Sequence, residues 1–227
     1  MIRNLKVLVA AAMVLGAIGA LSASGAQAAV EFHCAVEPCT GTLKPDEVAG
    51  TKTAHHVFIV ENEATTESVS ITCNTLDGEA TANKKTVTEL EAKNLKYTEC
   101  SANGSPGVVV DMNGCNYNFT ATGNVTITGC TNAAKQIEIT IPECTFDIPE
   151  QALVGAVTYH NSGAAPNREL TVSTKAPPNH PRIKISQATG VCPIKTNQTL
   201  IGTYTTGNTL VTGETHPGGV MAETWWE

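Results

Sequence analysis

The sequence predicts an all-β fold, an antiparallel β-sandwich or open barrel stapled by disulfides, and three observations carry that expectation. Short runs of alternating large and small side chains recur along the chain, separated by clusters of glycine, asparagine and proline. Threonine occurs 32 times beyond residue 28, and its branched Cβ favours strands and resists helices. All eight cysteines lie beyond an export-type leader, an even number that an oxidising compartment would pair into four bridges.

The leader is Met1–Ala28. Arg3 and Lys6 precede an apolar run from Val7 to Leu21, and small residues end in Ala26-Gln27-Ala28, the layout of a secretory signal peptide with an A-x-A cleavage site. A transmembrane anchor is the competing reading, but the run falls short of the ~20 apolar residues that a span needs. Residues 29–227 are therefore expected to form a secreted, all-β extracellular region with no membrane span. Glu31-Phe32-His33 ahead of Cys34 lacks the small residues of a lipid-attachment site, and no second hydrophobic run follows towards Glu227, so a released product is expected.

Cleavage leaves 199 residues with 12 basic and 21 acidic side chains, a net charge of −9. That length suits one β domain or two small lobes. The acidic balance favours solubility and argues against a nucleic-acid partner, because counterion release needs a basic face and only scattered lysines are present.

Taken in order, residues 31–48 read as a turn-rich cap holding Cys34 and Cys39. His55–Val60 and Val69–Cys73 read as strands, the second with Val69, Ile71 and Cys73 inward. Leu76-Asp-Gly-Glu79 carries a turn signature. The charges of Glu89–Tyr97 fit a short helix and the alternation of Leu95 and Tyr97 fits a strand, which is the preferred reading. Val108–Val110, after Pro106-Gly107, is a candidate buried strand.

Asp111–Cys144 is the densest stretch, with three cysteines and three strand-like segments. Cys115–Thr120 and Val125–Cys130 form a hairpin around Thr122-Gly123-Asn124. Pairing Thr120 with Val125 sets Cys115 opposite Cys130, at a separation that a disulfide spans. The same register turns Tyr117 and Phe119 to one face and Val125 and Ile127 to the other, so either both faces are partly covered or a bulge shifts the pairing by one. Gln136–Ile141 and Cys144–Ile148 each carry an apolar stripe, and folding about Pro142-Glu143 opposes Ile141 to Cys144, Ile139 to Phe146 and Ile137 to Ile148. Pro142 leaves a wider bend open as well.

Beyond Pro149, strands are expected at Val154–Tyr159, Glu169–Thr174, Arg182–Ser186 and Thr199–Thr205, with Asn161–Asn167 as a loop. Three prolines within Ala176–Pro181 exclude regular pairing there. A last strand over Met221–Glu227 is expected to pack one of Trp225 and Trp226 into the core. Of the many pairings that eight cysteines allow, the preferred set is Cys34–Cys39, Cys73–Cys100, Cys115–Cys130 and Cys144–Cys192, of which only the third has a geometric argument. None of these bridges crosses residues 131–135, which suggests lobes of 29–131 and 132–227.

The chemistry-bearing residues form no motif. G-x-S-x-G and H-E-x-x-H do not occur, and Ser162 reads as loop filler. Paired C-x2-C zinc knuckles do not occur either, so no metal or cofactor is expected. His55 and His56 are adjacent, their rings diverge on a strand, and a solvated or capping role is expected, as for His33, His160, His180 and His216. Glu89 and Glu91 share a strand face, as the carboxylate pair of a glycosidase would, but a solvated edge charged against aggregation is the preferred reading. Asp111-Met-Asn-Gly114 opens like a calcium loop, yet its twelfth position is Thr122 where a glutamate is needed, and a tight turn accounts for Asn113-Gly114. Sequons at Asn103, Asn118, Asn124 and Asn197 matter only in a glycosylating host.

The pieces FHCAVEPC, VSITC, YTEC, VVVDMNGCNYNF, ITGC, IEIT, GAVTYHNSG and RELTV, in this order and over most of the mature region, resemble a group of secreted, cysteine-containing proteins found in multiple copies in soil actinobacteria. The resemblance implies a bacterial source, export and unused sequons, and carries over no site residues, since the group has no assigned activity. The expected function is a non-enzymatic binding or cell-surface structural module. Extracellular glycan or cell-wall material is the expected partner, by analogy with other exported β-sandwiches, although the four Phe, four Tyr and two Trp leave few aromatics for a sugar platform. The alternative is a secreted hydrolase with a site assembled from sequence-distant residues.

Overall fold

The computed structural model describes residues 30–35, 37–45, 55–164, 168–175, 181–195, 199–206, 208–213 and 224–226. The expected signal peptide, the segment 176–180, His180, Asn197 and His216 lie outside these residues. The described residues form twenty strands and no helix. The chain opens with β1 (Phe32–Cys34), β2 (Cys39–Pro45), β3 (His56–Asn62), β4 (Ser68–Ala82), β5 (Thr86–Val87) and β6 (Glu89–Ala102). It continues with β7 (Ser105–Pro106), β8 (Val109–Asp111), β9 (Asn116–Thr120), β10 (Val125–Thr128), β11 (Gln136–Ile141) and β12 (Cys144–Pro149). It ends with β13 (Gln151–Leu153), β14 (Val157–Ser162), β15 (Glu169–Thr174), β16 (Arg182–Lys184), β17 (Gln187–Gly190), β18 (Leu200–Thr206), β19 (Asn208–Gly213) and β20 (Thr224–Trp226).

The long antiparallel pair β4–β6 is the spine. β3 pairs with the first half of β4, from His56↔Cys73 to Glu61↔Ser68, and β2 pairs with the second half, from Leu43↔Gly78 to Cys39↔Ala82. One strand thus feeds two layers. The buried side chains record the change: Val69, Ile71 and Cys73 are inward at odd positions of β4, then Leu76 and Ala80 at even ones. The expected turn at Leu76-Asp-Gly-Glu79 lies inside β4. Its residues make a bulge instead, where Gly78 alone, between the pairs Asp77↔Lys96 and Glu79↔Lys93, faces both Asn94 and Leu95 of β6. Asn94 takes the left-handed conformation this needs, at φ 53°. Gly78 sits in a tight space, since a Cβ there would stand 3.0 Å from Leu95 and 3.2 Å from Leu43.

Eight strands run round a barrel in the order β10-β9-β6-β4-β2-β19-β15-β14, and the short β13 extends the wall along the free edge of β10. Among the described residues no strand pairing joins β14 back to β10 or β13, and the turn after β9 bridges this seam. Val157 donates its N–H to the Gly123 carbonyl at 3.1 Å, Gly155 N–H donates to Asn124 Oδ1 at 2.8 Å, and the Tyr159 hydroxyl donates to the Thr120 carbonyl at 2.7 Å. Gly123 sits at φ 88°, and a Cβ on it would lie 2.6 Å from the Val157 oxygen, so only glycine allows the approach. The strand expected from Val154 starts later, because Val154 is 88 % exposed in the turn between β13 and β14.

A four-stranded sheet, β17-β12-β11-β8, covers the other layer, in which β18 pairs with β3 and β16 with β18. Its register is the one the apolar stripes dictate: Ile141↔Cys144, Ile139↔Phe146 and Ile137↔Ile148, with Glu143 at φ 66° in a tight two-residue turn. The hairpin β9–β10 takes the register shifted by one, Phe119↔Val125 and Tyr117↔Ile127, which puts all four apolar side chains on one face. Gly129, at φ 75°, absorbs the offset, and Cys130 still reaches Cys115 with Cα atoms 3.9 Å apart.

The expected cap over 31–48 is corrected: β2 is an interior strand between β4 and β19, with Leu43 buried, and β1 pairs with β5 and β20. Its terminal cysteines and prolines masked a seven-residue strand that pairs with β4 over residues 39–43 and with β19 over residues 41–45. The other bridges, with Cα separations, are Cys34–Cys39 (5.7 Å), Cys73–Cys100 (4.0 Å) and Cys144–Cys192 (4.8 Å). Lobes of 29–131 and 132–227 are not what the hydrogen bonds build. β10 pairs with β13, β18 with β3 and β19 with β2 across that boundary, and one core extends from Phe32 to Leu200. The last strand pairs Phe32↔Trp226 and His33↔Trp225, while the packing of the tryptophan rings lies outside the described residues.

Candidate functional site

The inward faces of the barrel strands carry Leu43, Leu76, Leu90, Phe119, Ile127 and Leu153, an apolar lining set by period-two alternation. Ala80, Ala92 and Ala156 stand at inward positions where larger side chains would fill the interior. A cavity of about 100 Å³ remains between them. A second space of about 50 Å³ lies under the four-stranded sheet, bounded by Phe58, Ile71, Ile137 and Ile148. Both spaces share His56, Tyr97, Tyr117 and Tyr204 as walls.

Each of these four side chains comes from a different strand, β3, β6, β9 and β18. His56 Nδ1 lies 2.5 Å from the Tyr204 hydroxyl, which stands 3.4 Å from that of Tyr97, which in turn is 3.5 Å from that of Tyr117. The His56 ring meets the rings of Tyr97 and Tyr204 edge to face, with centroids 5.7 and 5.9 Å away. Burial lowers the His56 pKa to about 4 and holds the Tyr97, Tyr117 and Tyr204 hydroxyls above the ordinary phenol range. The corner is thus uncharged at neutral pH. His56 Nε2 is buried with no protein hydrogen-bond partner, and a group left unsatisfied in this way costs about 1–3 kcal/mol.

His56 therefore departs from the expected solvated role: it is 3 % exposed, in phase with Phe58 and Val60 on the buried face of β3. His55 is exposed, His160 is exposed on β14, and His33 Nδ1 lies 3.2 Å from Thr86 Oγ1. Parity was the available signal for His56, since a histidine at i, i+2, i+4 spacing with Phe58 and Val60 shares their face.

The eight cysteines lie away from the barrel cavity, and Cys73 alone reaches the wall of the smaller space. Glu89 and Glu91 share an open groove on the outer face of β6 with Glu31, Lys84 and Asn118. β6 is an interior strand between β4 and β9, so these carboxylates do not guard an edge. Asn116 Nδ2 donates to Glu91 at 2.8 Å. Asn113 N–H donates to Asp111 Oδ1 at 2.9 Å, and Asn113 and Gly114 take φ 50° and 73°, a tight turn. Among the described residues, no three His, Cys, Asp or Glu side chains gather to hold a metal ion, and no helix is long and apolar enough to cross a membrane.

Compared with known proteins, the chain matches no family model, no curated sequence and no solved structure.

Proposed function

We propose that the chain is a secreted, non-enzymatic bacterial binding protein that holds a small, predominantly apolar molecule inside its barrel. The observation that carries this reading is the cavity of about 100 Å³ with an apolar lining, one wall of which is His56, whose buried Nε2 has no protein partner. An empty space of that size forfeits roughly 2 kcal/mol of packing, and the orphaned nitrogen adds to the loss. A ligand that fills the space and meets the nitrogen recovers both. Small-molecule sites have this composition, apolar walls with a few convergent polar groups, and an eight-stranded barrel has room for one such ligand.

The polar corner suits binding better than proton transfer. A histidine with a pKa of about 4 and phenols held far above neutrality lie outside the range in which general acids and bases work near pH 7. A sugar surface has less support, because among the described residues every Phe and Tyr is buried or half-buried. The leader and the four disulfides fit an oxidising, extracellular compartment.

The test is a methyl-detected NMR titration of oxidised residues 29–227 with toluene. Saturable shifts at Leu90, Val125 and Ile127, abolished by Ala92→Leu, are expected. Shifts absent from these methyls at saturating toluene would overturn the reading.

A further inference from the structure

We infer that the molecule held in the barrel is a neutral, single-ring compound bearing one hydroxyl group, which hydrogen-bonds to His56 Nε2. This rests on the binding reading above and adds size, charge and polarity to it.

Size follows from the two spaces, about 100 and about 50 Å³, that share His56 as a wall. An engineered apolar cavity of about 150 Å³ accommodates benzene, so one ring with a short substituent is the upper limit here and a long acyl chain or a fused-ring lipid is excluded. Charge follows from the lining. Among the described residues around both spaces there is no Lys, Arg, Asp or Glu, and His56 is neutral, so a carboxylate or an ammonium would lose its hydration with nothing to replace it.

Polarity follows from the hydrogen-bond inventory of the corner. Nδ1 of His56 is taken by Tyr204, and Nε2 is the atom left over. The Tyr204–Tyr97 and Tyr97–Tyr117 oxygen separations of 3.4 and 3.5 Å exceed the usual O–H···O range, so these hydroxyls do not satisfy one another fully. Either tautomer of His56 leaves Nε2 wanting a partner, a donor in one case and an acceptor in the other. A hydroxyl is both, whereas an ether or ketone can only accept. The ring belongs against Tyr117 and Phe119, already edge to face at 6.3 Å between centroids.

The experiment measures binding of p-cresol, toluene and 4-methylbenzoate to oxidised residues 29–227 and to the His56→Phe variant by calorimetry at pH 7. Expected is p-cresol binding about tenfold tighter than toluene in the wild type, a preference lost in His56→Phe, and no binding of 4-methylbenzoate. The wild type supplies a second readout that needs no variant: the ¹⁵N resonance of His56 Nε2 moves when p-cresol is added and stays in place with toluene. Equal affinity for toluene and p-cresol, a preference that survives His56→Phe, an unmoved Nε2 resonance or binding of the carboxylate would overturn this inference and leave the barrel as a binding site. Failure of both neutral rings to bind would overturn the binding reading itself.

Discussion

His56 carries a pH dependence that the fold cannot avoid. Above pH 6.5 the imidazole is neutral in the folded and the unfolded chain alike, and its titration favours neither. As the pH falls from 6.5 towards about 4, the unfolded chain takes up a proton that the buried ring refuses, so stability drops through that window. The drop amounts to about 3 kcal/mol, and below about pH 4 it levels off. His56→Phe removes the titrating group and should flatten this part of the profile, which melting temperatures of both proteins between pH 7 and 4 would show. Parallel profiles would mean that His56 is hydrated in the folded protein. Sequence reasoning misses this residue because a histidine is usually solvated, although its parity with Phe58 and Val60 places it on the buried face. The corner as a whole was harder to find, since Tyr97, Tyr117 and Tyr204 lie on three further strands and only strand order brings them to His56.

At the scale of the element, most strands were legible where apolar alternation is unbroken. The β11–β12 register follows residue by residue from two coincident stripes. In the β9–β10 hairpin two local signals conflicted, opposition of Cys115 to Cys130 and coincidence of the apolar faces, and burying one face prevailed because Gly129 could absorb the extra residue. The bulge in β4–β6 looks like a turn in sequence because Asp-Gly serves both, and only the partner strand distinguishes them. The seam turn invites a direct test. Gly123→Ala combines a positive φ with a Cβ only 2.6 Å from the Val157 oxygen, and should destabilise the protein by about 2 kcal/mol or more in denaturant unfolding. A loss within experimental error would show that the barrel does not need this closure.

At the scale of the molecule, the fold class was legible from composition and both expected architectures are present, a barrel and a layered sheet sharing β4 and β6. Closure was not, because the ring depends on pairings such as β2–β19 between segments far apart in sequence. The distribution of cysteines suggested two lobes, but bridges record neighbours only locally, while strand pairing unites the chain into one core. Closing eight strands around three inward alanines leaves the central space, so the cavity is a property of the whole barrel. Binding inside the barrel requires that this space admit an apolar guest. A crystal of oxidised residues 29–227 pressurised with xenon measures it directly. A xenon peak between Ala92, Phe119 and Leu153 is the predicted result, and a barrel interior with no xenon, its side chains collapsed onto one another, would contradict it.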